Sequence, residues 1–254
     1  MMCVINFKLK DDPKYKLVIA ANRDESYNRP ATPAAFHGDI LYGTDEVRGG
    51  TWLGITKTGR IAMITNVRNL EEMSKNSPLS RGDIVLDFLK SDDTPEDFLM
   101  HLRTESKDYG GFNVLLGDAE SLYYMNNYDN KIEKVTEHIH GLSNASLDTP
   151  WAKVQLGKHT LDTLTGNIEL DKHTLLTLLQ SKEKTYDHNQ HTGVGESMEY
   201  NLSSQFIELE EMEYGTRCST VILITHDGNV HFVERTYDRG KFVFDTEFNF
   251  KIEQ

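Results

Sequence analysis

The sequence has 254 residues, with 27 Lys and Arg against 40 Asp and Glu, a net charge of −13. That balance argues against nucleic-acid binding by phosphate neutralisation and against attraction to acidic lipid head groups. The apolar share of 38%, with 11 Phe, 11 Tyr and two Trp, suits a folded core rather than a disordered chain. The longest aliphatic run, residues 221–224, is far too short to span a bilayer, so no integral membrane segment is expected.

No Pro/Gly/Ser-rich linker and no repeat divides the chain, which reads as one domain over 1–254. Residues 3–9 read as a strand, followed by a turn around Asp12-Pro13 and a second strand over 16–22, apolar enough to be buried on both faces. Residues 52–56 and 60–66 read as a hairpin around Lys57-Thr58-Gly59. A helix over 80–90 carries Ile84, Val85, Phe88 and Leu89 on one side. The next helix starts at Thr94, with Pro95 in the first helical position and Asp97 in the capping-box position. Strands return at 112–117, 121–125 and 131–139. Helices follow at 149–164 and 171–180, then strands at 205–209, 216–225, 230–234 and 241–248. Runs of strands, then helices, then strands predict an α+β fold with mainly antiparallel sheets.

Familiar catalytic signatures are missing. Gly141-Leu142-Ser143-Asn144-Ala145 lacks the second glycine of a nucleophile elbow, there is no P-loop, and Gly193-Val194-Gly195 lacks the third glycine of a dinucleotide site. His138 with His140, and His188 with His191, lack a neighbouring ligand set of metal-binding spacing. They read as structural or solvent-exposed, and neither metal nor other cofactor is expected.

Two features carry chemistry. Cys3 and Cys218 are the two cysteines, too few for a disulfide scaffold. The opening residues carry neither a basic leader nor an apolar stretch of signal-peptide length, so a cytoplasmic location with reduced thiols is expected. A cysteine that becomes an N-terminus brings its own base, because its α-amine can take the thiol proton. With translation from Met2, removal of that residue exposes Cys3. The alternative is a small buried strand residue. Asn22-Arg23-Asp24-Glu25 follows an apolar strand and reads either as a solvated turn or as a functional cluster.

These segments, with Gly49-Gly50-Thr51-Trp52-Leu53-Gly54, Gly110-Gly111-Phe112-Asn113, Gly141-Leu142-Ser143-Asn144, Thr192-Gly193-Val194 and 214–220, resemble the NRDE family. That is the family of transport and Golgi organisation protein 2, and the resemblance runs from Cys3 to about Val233. It implies kinship with N-terminal-nucleophile hydrolases, above all the cysteine type that cleaves bile-salt and penicillin V amides. The implied fold is a four-layer α/β/β/α sandwich. The implied site is Cys3, Arg23, Asp24, Asn66, Asn144 and Arg217. In it Asp24 holds the α-ammonium and Arg23 or Arg217 favours the thiolate, while Asn66 and Asn144 donate to an oxyanion. Arg23 and Asp24 are adjacent, so both reach one site only if their strand has already turned.

Trp52, set among glycines, is expected against the pocket as a substrate-binding residue or in the sheet interior as a core anchor. Cys218 is expected in the core, facing away from Arg217 by strand alternation. The implied activity is amide hydrolysis of a small acylated molecule through a thioester. The alternative is a non-catalytic carrier of a hydrophobic ligand, because the family's eukaryotic members are tied to lipid and acyl-CoA homeostasis and to haem trafficking. An interaction scaffold would rest only on the acidic stretch 208–213, which reads better as a solvated face.

Overall fold

Period-two alternation in β1 (Met2–Leu9) and β2 (Tyr15–Ser26) places one set of side chains on each face of a sheet. The computed structural model describes residues 2–70, 77–167, 170–187, 190 and 192–253. Twelve further strands follow: β3 (Ala31–His37), β4 (Ile40–Asp45), β5 (Leu53–Thr56), β6 (Ile61–Asn66), β7 (Phe112–Gly117), β8 (Leu122–Asn126), β9 (Ile132–Lys134), β10 (His138–Leu142), β11 (Glu208–Leu209), β12 (Tyr214–Thr225), β13 (Asn229–Asp238) and β14 (Lys241–Lys251). They form two seven-stranded sheets. The first runs β10-β1-β2-β12-β13-β14, with β11 on β12; the second runs β3 to β9 in chain order. Their ladders are antiparallel.

The helices are α1 (Arg81–Lys90), α2 (Pro95–Glu105), α3 (Ala152–Asn167), α4 (Lys172–Leu179) and α5 (Glu196–Asn201). As the sequence predicts, Thr94 Oγ1 accepts from the Asp97 N–H at 3.1 Å and Pro95 opens α2. Helices α1 and α2 cover the second sheet, and α3 and α4 cover the first. The order of layers is therefore α/β/β/α. No helix among the described residues is long and apolar enough to cross a membrane.

Strand β2 is buried on both faces. Leu17, Ile19 and Ala21 join Cys3, Ile5, Phe7 and Leu9 of β1 in the core that reaches the second sheet, while Val18 and Ala20 pack with Leu161, Leu175, Leu176 and Leu179 under the helices. Each of the buried Val, Leu, Ile and Phe side chains contributes about 1.5–3 kcal/mol.

Four local expectations need correction. The strand expected over 131–139 is two strands: β9 ends the second sheet, and the chain crosses at 135–137 to begin β10 in the first. The strand expected over 205–209 shrinks to Glu208–Leu209, because the Phe206 N–H donates to the Ser181 carbonyl instead of a ladder. The hairpin β3–β4 was not foreseen. Pro33 masks its first strand, which is an edge strand with a register irregularity between Thr32 and Ala35, where proline is tolerated. Helix α5 was missed because it is only six residues long. His188 and His191 lie outside the described residues.

Candidate active site

The site begins with ladder register. Cys3 lies opposite Arg23, and Arg23 opposite Cys218 on β12. Cross-strand partners share a face, and Cys3 and Cys218 both belong to the core between the sheets. Met2 lies opposite Asp24, and Asp24 opposite Thr216. Strand β2 runs on to Ser26, so it has not turned at residues 23–24. Arg23 therefore faces the second sheet while Asp24 faces the helices.

Between Thr216 and Cys218 the register slips by one residue. Arg217 is the extra residue of this bulge, and the bulge re-aims it. Its Nη1 donates to the carbonyls of Ser26, Tyr27 and Arg29 at 2.8, 2.9 and 3.0 Å. Cys218 is buried, as expected. The alternation that would turn it away from Arg217 fails at the bulge, and the two line one cleft.

Cys3 is fully buried. Burial pushes its thiol up to about 12, and the Asp24 charge adds to this; the Asp24 backbone N–H and the Arg23 charge oppose it. Its carbonyl accepts from Ser143 Oγ at 2.8 Å, and the Ser143 carbonyl accepts from Thr65 Oγ1 at 2.5 Å. Asn144 Nδ2 donates to the Asn66 carbonyl at 2.8 Å. The ends of β6 and β10 are thus tied together beside the start of β1. Both asparagines are buried, and Asn66 Oδ1 has no hydrogen-bond partner among the described residues.

On the opposite face, Asp24 Oδ1 accepts from Thr216 Oγ1 at 2.8 Å, and the Asp24 carbonyl accepts from the Tyr214 hydroxyl at 3.0 Å. Oδ2 has no partner among the described residues. Burial raises this carboxyl to about 7, against the opposing pull of the Lys153 charge and the Thr216 hydrogen bond. Lys153, in the first turn of α3, is buried, and its ammonium is likewise unpartnered among the described residues. Burial lowers it to about 8, helped by the like charge of Arg68 and opposed by Asp24 and Cys3.

Arg68 is buried two residues beyond Asn66. Its guanidinium lies 4.5 Å from the Trp151 ring centroid, and its backbone N–H donates to the Asn144 carbonyl at 2.7 Å. Burial lowers its pKa to about 10, against the pull of Glu199. Glu199 of α5 lies 3.1 Å from Arg68 Nη2 and accepts from Gln190 Nε2 at 2.7 Å and from the Thr192 N–H at 3.0 Å.

Sequence reasoning missed Lys153, Arg68 and Glu199. In the structure Lys153, Gly157 and Leu161, spaced by four on one side of α3, are all buried. Gly157 packs against Asn6 of β1, which fixes that side toward the sheet.

Between the sheets a small cleft is lined by Arg23, Asp45, Trp52, Arg217, Cys218 and Glu234, among others. Arg23 Nη2 donates to Asp45 Oδ2 at 2.9 Å, and Arg29 grips the same carboxylate. Glu234 Oε1 accepts from the Ala34 N–H of the facing sheet at 2.7 Å. Trp52 is buried, so it both packs in the core and walls the cleft. Of the sequence-predicted residues, Arg23, Arg217 and Trp52 meet here. Asn66 and Asn144 meet beside the Cys3 backbone, and Asp24 lies on the far face of the same strands. Arg23, opposite Cys3, joins the two regions.

A family model for Transport and Golgi organisation 2 matches residues 2–239. The chain is 34% identical to the Transport and Golgi organization protein 2 homolog of Bos taurus and 35% identical to that of Homo sapiens, each over 92% of this chain and 93% of the relative. It is 28% identical to Transport and Golgi organization protein 2 of Drosophila melanogaster, over 92% of both chains. Among solved structures, a Caenorhabditis elegans N-acylethanolamine-hydrolyzing acid amidase ortholog aligns with a TM-score of 0.49 at 10% identity, over 87% of this chain and 92% of that one. A mutant of conjugated bile acid hydrolase from Clostridium perfringens aligns with a TM-score of 0.46 at 10% identity, over 99% of this chain and 92% of that one. The chain belongs to the Transport and Golgi organisation 2 family.

Proposed function

We propose that this protein is a cysteine hydrolase that cleaves the carbon–nitrogen amide of a small acylated molecule, with Cys3 as nucleophile. The observation that carries this reading is the position of the thiol. It sits at the head of a central strand, and the residue before it lies opposite Asp24, whose Oδ2 has no hydrogen-bond partner among the described residues. Removal of the residues ahead of Cys3 leaves its α-amine at that place, and Asp24 holds it. The amine takes the Sγ proton, and the thiolate attacks the acyl carbon. Side-chain amides of Asn66 and Asn144 stabilise the oxyanion. The C–N bond then breaks as the α-ammonium returns its proton to the departing amine. Water, deprotonated by the same amine, hydrolyses the thioester and frees the thiol. Arg23 biases the sulfur toward thiolate, and Arg217 and Trp52 shape the adjoining cleft for the acyl ligand.

The test compares protein beginning at Cys3 with protein beginning at Met1 on a panel of acyl amides. Turnover confined to the first form, lost in Cys3→Ala and slowed in Cys3→Ser, supports the reading. Equal turnover by Cys3→Ala defeats it.

A carrier of a hydrophobic ligand on the same scaffold is the second reading. The observation that favours it is the complete burial of Cys3 and the rise of its thiol to about 12 when Met1 and Met2 precede it. Ligand binding that survives Cys3→Ala, with no turnover by either form, selects this reading.

A further inference from the structure

Arg68 and Lys153 are both about 2% exposed. Buried polar groups are normally hydrogen-bonded, and buried charges are paired. Here Nζ of Lys153 and Nε, Nη1 and Nη2 of Arg68 have no hydrogen-bond partner among the described residues. The 3.1 Å approach of Arg68 Nη2 to Glu199 is an ion pair without hydrogen-bond alignment. The ring that Arg68 stacks on, Trp151, lies two residues before Lys153, so two buried like charges stand on one short segment, and the Arg68 charge depresses the ionisation of Lys153.

The local carboxylates do not saturate them. Glu199 already accepts from Gln190 and from both the N–H and the hydroxyl of Thr192. Asp24 Oδ1 accepts from Thr216, and neither Asp24 oxygen is hydrogen-bonded to Lys153. The pair is also held rigidly. Trp151 stacks on the Arg68 guanidinium, Asn144 receives its backbone N–H, and Gln205 Nε2 donates to the Lys153 carbonyl at 2.6 Å. These contacts hold the Arg68 ring face and both backbones, while the side-chain donors meet no hydrogen-bond acceptor among the described residues, as a ligand site requires.

We propose that Arg68 and Lys153 form a subsite for one anionic oxygen group, a carboxylate or a phosphate, carried by the acylated ligand. A forked guanidinium and an ammonium together match either group. The placement relative to the reacting carbon rests on the reading of Cys3 as nucleophile; the binding itself does not.

The experiment uses the full-length Cys3→Ala protein, which lacks the proposed nucleophile, and calorimetric titration with three probes of one acyl length. These are N-octanoylethanolamine, its O-phosphate, and N-octanoyl-β-alanine. At least one anionic probe is expected to bind about tenfold to a hundredfold tighter than the neutral one. Which anion gains more identifies the group. Arg68→Gln and Lys153→Met, each added to Cys3→Ala, are expected to erase that preference while leaving the neutral probe's affinity in place. The comparison among probes on the Cys3→Ala protein stands even where an added substitution fails to fold. Equal affinities for all three probes, no binding of any probe, or a preference that persists in both folded variants overturns the subsite. If the preference holds but the Cys3-first protein hydrolyses none of the three, the subsite stands and the hydrolase reading falls.

Discussion

Arg23 stands directly across from Cys3 in the β1–β2 ladder, on the face that looks toward the second sheet. Its sequence neighbour Asp24 looks toward the helices, where the Lys153 charge favours its ionised form against burial. One strand thus serves the sulfur from one side and the backbone ahead of it from the other. A free amine at Cys3 would lie between the two, which is where a proton acceptor for the thiol has to be.

Thiol reactivity follows from this placement. With residues ahead of Cys3, burial pushes both thiols up, and Glu234 adds to the rise at Cys218. Both are expected to alkylate slowly in the folded chain. In protein beginning at Cys3, that thiol is expected to label faster than Cys218, because thiolate fraction sets the rate. Timed iodoacetamide labelling with peptide mass mapping measures this.

The stability of the fold carries a pH signature from Asp24. Its folded value of about 7 lies above its ordinary 3.8. Between those values the folded state keeps a proton that the unfolded chain releases, so Asp24's contribution to stability falls as pH rises through that window. Asp24→Asn removes this slope. Urea midpoints from pH 4 to 8 are expected to show the variant gaining on its parent as pH rises to about 7 and the difference levelling off above it.

Arg217 is expected to act on the loop it holds. Arg217→Ala removes three contacts to carbonyls at 26–29, and loss of charge-assisted hydrogen bonds of this kind costs roughly 1.5–3 kcal/mol. Hydrogen exchange of the amides at 26–29 should accelerate more than that of the β1 amides. Unchanged exchange there removes this role for Arg217.

Gly157 sets how closely α3 approaches β1. A Cβ at this position would lie 2.0 Å from Asn6 Oδ1 and 2.7 Å from Gln205 Nε2. Gly157→Ala is therefore expected to destabilise the protein by about 1–3 kcal/mol, despite the better helix propensity of alanine. Equilibrium urea unfolding followed by circular dichroism reads the loss.

Much of the fold was legible because burial follows periodicity. Strand β2 reads as apolar on both faces, and it is sandwiched between the sheet core and α4. The Thr94-Pro95 start of α2 was explicit in its capping residues. The crossing between β9 and β10 was not, because a chain that leaves one sheet for another keeps its β character on both sides of the step. The site was partly legible. Asn66 and Asn144, 78 residues apart in sequence, meet in space. The bulge at Arg217 was hidden, since one extra residue reverses alternation without changing composition. Arg68 and Lys153 were hidden for another reason. Charged residues beside a strand end or in a first helical turn normally face water, and only the tertiary packing of Trp151 and Glu199 encloses this pair.

The most direct test is intact-mass analysis of protein beginning at Cys3, mixed with an acyl-amide substrate and acid-quenched at short times. The account predicts a transient mass increase equal to the acyl group, mapped to the Cys3 peptide and absent in Cys3→Ala. Undiminished turnover by Cys3→Ala, or an acyl adduct mapped to Cys218 alone, would contradict it.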